Sequence, residues 1–168
     1  MNDTGLDWAS EIALLMPRLR RFARTVTRNP EDADDLVQVG LERALSKREQ
    51  WQEGTRLDSW IFKIMRNAWI DEVRARIRRS EVLAPEEAGE HVGVDSMSDH
   101  IDAMAVKDAM SKLNEDQRMA VGLVLVEGMP YKEAAEVLDI PIGTLTSRLA
   151  RGREALMAML SDSKGVRQ

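Results

Sequence analysis

The stretch from Tyr131 to Arg153 constrains this chain most, because it holds two helical patterns separated by a break only a few residues long. In the first, Ala134, Ala135 and Leu138 fall at inward spacing behind Pro130, a residue suited to the first turn of a helix. Pro141 and Gly143 then interrupt the pattern before Thr144. In the second, Leu145, Leu149, Gly152 and Leu156 make one stripe, and Thr144, Ser147, Arg148 and Arg151 make another. Two helices joined this way form a helix-turn-helix, whose second helix suits the major groove of duplex DNA. An αα-hairpin with a solvated basic face meets the same spacing, so the motif needs support from the rest of the chain.

Composition narrows the fold class. Aromatic residues make up 4% of the 168 positions, and Ala, Leu, Met, Glu and Arg are abundant, which favours an all-α protein. Cysteine is absent, which excludes disulfides, thiol redox sensing and cysteine-ligated zinc. The two histidines, His91 and His100, have no metal-ligand companions at useful spacing, so neither a metal, a cofactor nor an enzymatic centre is expected. The longest apolar stretches fall short of a membrane span, and Met1-Asn2-Asp3-Thr4 lacks a signal-peptide layout. The expectation is a cytoplasmic protein without membrane insertion.

The net charge of −5 suits a DNA reader poorly until it is divided along the chain. Residues 18–79 carry fifteen Lys and Arg against ten Asp and Glu, whereas residues 80–106 carry seven acids and no Lys or Arg. An acidic segment thus separates a basic first half from the helix-turn-helix. A chain so charged is expected to bind bare DNA poorly and to act within a larger assembly.

Three helical patterns fill the first half, near Trp8–Thr27, Glu31–Arg48 and Leu57–Arg79. Periodicity then fades through Ala84-Pro85-Glu86-Glu87-Ala88-Gly89-Glu90. Beyond it come helices near Ile101–Leu113 and Glu115–Glu127, the latter capped by Asn114, and then the helix-turn-helix. The expected architecture is two small helical domains, residues 1–80 and 101–168, joined by a flexible acidic linker over 81–100.

In the second helix Asp34, Asp35, Gln38 and Glu42 share one face, and Ala33, Val37, Leu41 and Ala44 the opposite one. In the third, Trp60, Lys63, Asn67, Asp71, Arg74 and Arg78 recur along one side. Taken alone, these faces are equally at home as solvated surface over a core containing Trp60 and Trp69. Together and in this order, the segments Asp34-Asp35-Leu36-Val37-Gln38 and Ser59 to Arg76, followed by an acidic stretch and a helix-turn-helix, resemble bacterial sigma factors of the extracytoplasmic-function type. The resemblance runs from about Pro17 to Leu160. Val39 and Gly40 depart from its pattern, where an acid commonly follows the glutamine, as does Thr146, where a base is frequent.

The resemblance implies a promoter-recognition subunit of RNA polymerase, serving a stress-response regulon. Asp34, Asp35, Leu36, Val37 and Gln38 would dock on the β′ clamp coiled coil of core polymerase, with the β subunit as a second contact. Trp51, Trp60, Lys63, Arg66, Asn67 and Arg74 would bind the −10 element, the loop Gln52–Ser59 helping to hold a flipped base. Thr144, Ser147, Arg148 and Arg151 would face the −35 element. Core polymerase, promoter DNA and an anti-sigma factor are the implied partners. A stand-alone helix-turn-helix regulator and a helical adaptor that binds only proteins are the alternatives.

Overall fold

The computed structural model describes residues 4–82 and 98–165, and every described element is helical. Helix α1 spans Thr4–Val26, α2 Pro30–Ser46 and α3 Leu57–Val82, with a short 3-10 turn at Arg48–Gln50 between α2 and α3. Helix α4 spans Ser98–Lys112, α5 Glu115–Val121, α6 Tyr131–Leu138 and α7 Ile142–Gly165. Both α3 and α4 extend into the stretch expected as linker; its residues 83–97 lie outside the described ones.

Local chemistry sets the helix ends. Asn29 caps α2 by accepting the Asp32 amide at 2.8 Å, with Pro30 in the first turn, and Asn114 caps α5 by accepting the Gln117 amide at 2.8 Å. The expected helix over Glu115–Glu127 is α-helical only to Val121. Gly122–Val126 is wound as a π segment, in which the Glu127 amide reaches back to the Gly122 carbonyl. Helix α6 ends on Asp139, whose left-handed backbone (φ 53°) makes the tight turn of the helix-turn-helix. That turn lies ahead of Pro141, and Gly143, expected as part of the break, belongs to α7.

The first three helices form a bundle around Leu19, Phe22, Ala23, Val26, Ala33, Val37, Ala44, Ile61, Phe62 and Met65. Each large side chain so buried stabilises the fold by about 1.5–3 kcal/mol before entropy is counted. Phe22 and Phe62 meet edge to face with centroids 5.0 Å apart. The departure at Gly40 has a packing reason: a Cβ there would come within 2.6 Å of Met65 Cγ, so glycine lets α2 lie close on α3.

The two halves do not stand apart. One continuous apolar cluster runs from Trp8 in α1 through α2 and α3 to Met119, Ala120, Leu123, Ala134, Leu138 and Leu145. Helix α1 packs on α5 and the π segment, and α3 packs on α6. Arg118 is wholly buried at this seam; its guanidinium donates to the carbonyls of Met110, Ser111 and Leu113 and, across the seam, to that of Val26.

Candidate polymerase and nucleic-acid interfaces

On α2 the packed stripe of Ala33, Val37 and Ala44 turns Asp34, Asp35, Gln38 and Glu42 to solvent. Leu36 and Val37, expected in the docking surface, are 5% and 7% exposed. They pack into the core and anchor the helix, and the exposed surface of this stretch is made by the polar residues. Beside the acids runs a groove between α2 and α3, lined by Asp35, Leu36, Gln38, Trp69, Asp71 and Arg76 among others. Arg76 closes one side with two bonds to Asp32, at 2.6 and 2.8 Å, while its guanidinium lies 5.4 Å from the centroid of the Trp69 ring. The hydrogen bonds from Arg76 hold the Asp32 carboxyl below its ordinary range. Arg43 bonds Asp71 at 3.1 Å on the rim.

On α3, Lys63, Asn67 and Arg74 are exposed. Trp60 is half-buried and meets the Trp8 ring edge on at 6.3 Å, and Trp51 packs partly into the core. Arg66 is drawn inward: Nη1 donates to Asn67 Oδ1 at 2.9 Å, Nε is buried without a hydrogen-bond partner, and burial lowers the guanidinium pKa from its ordinary value. Trp69 lies off this face, 5% exposed, its Nε1 donating to Glu115 Oε2 of α5. In the first turn of α3, the Asp58 carboxylate accepts from Arg56 and from Arg18 of α1, a clamp that sequence reasoning missed. Burial pushes that carboxyl up, but bonds from Arg56, Arg18 and the Ser59 amide outweigh it and leave it below its ordinary range.

On α7, Leu145, Leu149 and Gly152 are buried and Ser147 and Arg151 exposed. Thr144 and Arg148 are half-buried, and Arg148 lies within ion-pair reach of Asp116 at 3.6 Å. The Thr146 hydroxyl donates to the Ile142 carbonyl, so it is engaged with its own helix, and Arg153 is exposed.

Arg66 and Arg74 of α3 share one cleft of about 160 Å³ with Arg148 of α7, closed by Glu115 and Asp116. Residues assigned to two promoter elements thus meet across the seam. No periodicity in the sequence could show it, because the partners are far apart along the chain.

Comparison with known proteins places this geometry. Sigma-70 region 2 matches residues 12–79, and Sigma-70, region 4, matches residues 103–156. The ECF RNA polymerase sigma factor EcfG of Rhodopseudomonas palustris (strain TIE-1) is 35% identical over 150 residues, covering 89% of this chain and 83% of that protein. The chain belongs to the ECF sigma factors of RNA polymerase. SigM of Mycobacterium tuberculosis (strain H37Rv) is 33% identical over 143 residues, 85% of this sigma factor and 71% of that one. Among solved structures, the sigma factor RpoE of Bartonella quintana, in complex with the anti-sigma factor NepR, aligns with a TM-score of 0.78 and 32% identity, covering 92% of this chain and 97% of that one. CnrH, in complex with the cytosolic domain of CnrY, shares the fold with a TM-score of 0.67 at 21% identity, covering 92% and 87%. This sigma factor is therefore a promoter-recognition subunit, and transcription initiation is its function. Among the described residues no helix is long and apolar enough to cross a membrane, and no cluster of acids and histidines could hold a metal.

Proposed function

We propose that this sigma factor docks on core RNA polymerase through the polar face of α2, holds the −10 element along α3 and reads the −35 element with α7. It recruits and orients, and polymerase supplies the chemistry. The observation that carries the docking step is the exposure of Asp34, Asp35 and Gln38 opposite a fully packed stripe. A rigid acidic and amide-bearing face of this kind complements a basic coiled coil such as the β′ clamp helices. For −35 reading, Ser147 and Arg151 stand on the exposed side of a helix anchored by Leu145 and Leu149. Lys63, Asn67 and Arg74 offer the −10 strand a line of cations and an amide. The β subunit is the expected second contact on the polymerase, and a cytoplasmic site of action follows from the role.

An anti-sigma factor is the natural regulator, since the chain has no cysteine with which to sense redox state, and the B. quintana relative is solved in complex with one. The reconstituted system tests the whole: core polymerase plus this chain should initiate at specific promoters recovered by sequencing of transcript starts. A stand-alone regulator would instead shift promoter DNA without polymerase, and an adaptor would leave promoter output unchanged.

A further inference from the structure

We propose that the cleft between α3 and the helices α5 and α7 is a binding site for a small phosphate monoester, its phosphate held between Arg66 and Arg148 and its organic group on an apolar floor. Three guanidinium groups line this cleft, Arg66 and Arg74 from α3 and Arg148 from α7. The acids beside them are largely engaged elsewhere. Glu115 accepts the Trp69 Nε1 proton with one oxygen and Arg118 Nη1 with the other. The Asp116 carboxylate, 66% exposed, reaches Arg148 only at 3.6 Å, and no carboxylate among the described residues forms an ion pair with Arg66 or Arg74. Arg66 Nη1 donates to Asn67 while its Nε is buried without a partner, so one donor is taken from water with no compensation. Burial is the main cause that lowers the Arg66 pKa, and the charges of Arg148 and Arg74 push the same way against Asp139 and Asp116. An anion between Arg66 and Arg148 meets the idle donor and relieves the repulsion together.

The spread of donors selects the ligand. A planar carboxylate is satisfied by one guanidinium in a bidentate pair, whereas the several oxygens of a phosphate accept from guanidinium groups on opposite walls. Trp69, Ile70, Val73, Met119 and Leu138 supply apolar lining, and the volume of about 160 Å³ is close to that of a cavity that takes up benzene, so the phosphate carries a group no larger than one ring. A nucleic-acid strand does not fit a space of this size, and its neighbouring phosphates would run against the charges of Asp116 and Asp139. The walls belong to both halves of the chain, so a ligand held there stabilises the seam by mass action.

Calorimetric titration of the full chain with phenyl phosphate and with inorganic phosphate, at a fixed chloride concentration, tests the site. Phenyl phosphate should bind once per chain and at least about threefold tighter than inorganic phosphate, because its ring covers the apolar floor. At about a hundredfold excess over its Kd it should raise the melting temperature by about 5–10 °C. Arg66→Gln and Arg148→Gln, on opposite walls, should each weaken binding by at least about tenfold. Arg153→Gln, an equal loss of charge at an exposed position of α7 outside the cleft, should change it by less than about twofold. Without ligand, Arg66→Gln should melt no lower than the parent, since it removes an unmet donor and a source of repulsion; a role in folding alone would lower it. If it does melt lower, Arg148→Gln decides the binding arm. No saturable binding of phenyl phosphate up to about 10 mM overturns the site. Equal losses in the Arg153 and Arg148 variants overturn it too, as does unchanged binding by the Arg148 variant. Phenyl phosphate no tighter than inorganic phosphate overturns the monoester in favour of a bare anion.

Discussion

Arg118 Nη1 donates to the Val26 carbonyl at 3.0 Å, joining residues ninety-two positions apart and tying the end of the first helix to the second half of the chain. The same guanidinium closes the corner between α4 and α5 through three further carbonyls. Burial lowers its pKa, yet with Glu115 at 3.2 Å and four carbonyl partners the charge is well accommodated.

Arg118→Met should therefore destabilise the chain by about 3 kcal/mol or more, since several buried carbonyls lose their donor at once. Arg118→Lys should recover little, because one ammonium cannot serve that fan of acceptors. Urea denaturation followed by circular dichroism measures both, and a loss below about 1 kcal/mol in the Met variant would contradict the account.

Asp35→Ala combined with Gln38→Ala should weaken binding to core polymerase while leaving the melting temperature unchanged. Both side chains are exposed opposite a packed stripe, so the fold does not depend on them. A titration against core polymerase decides it, and equal affinity for variant and parent would remove α2 as the docking face.

Asn67→Ala should impair strand opening at −10 more than closed-complex formation, because an exposed amide can hydrogen-bond an unstacked base. Arg151→Ala should weaken closed-complex formation and relax −35 discrimination by about 1–3 kcal/mol if the contact is bidentate. Permanganate footprinting and holoenzyme gel shifts separate the two steps, and identical defects would refute the division of labour.

Acid should act through Asp58. Its carboxyl is held below its ordinary range in the folded chain, so its contribution is complete above the unfolded value of about 3.9 and drains away as pH falls toward the folded one. Urea midpoints are expected to stay level from about pH 7 to 5 and to drop below about pH 4. Asp58→Asn should start lower and show a shallower acid limb; an unchanged limb would mean the Arg18 and Arg56 clamp carries no linkage.

Features governed by local periodicity were legible in the sequence. The buried stripe of Leu145 and Leu149, the exposed face of Asp34, Asp35 and Gln38, and the Asn114 cap all stand where spacing and capping chemistry put them. Leu36 and Val37 were less so, because a motif read as a contiguous run ignores that neighbouring residues on a helix face different ways. Trp69 shows the other limit: its Nε1 partner, Glu115, lies forty-six positions away, and only the tertiary fold brings them together. The Gly122–Val126 segment reads as an ordinary apolar helix, since the i→i−5 winding leaves no mark in residue type, and the approach of Gly122 to Thr25 and Phe22 of α1 is a tertiary contact.

That winding sets a phase for everything after it. The Glu127 amide bonds the Gly122 carbonyl five residues back, and the Met129 amide bonds that of Leu123, so the segment carries one residue more than an α-helix would over the same arc. Winding the same residues as α instead would rotate the chain that follows by about 100°, the turn of one residue. Glu127 would swing away from Arg21 and Arg18, and Met129, now buried, would lose its place under α6. A chain of the same length wound as α over these few residues could keep every promoter-reading side chain and still carry its reading head at the wrong angle.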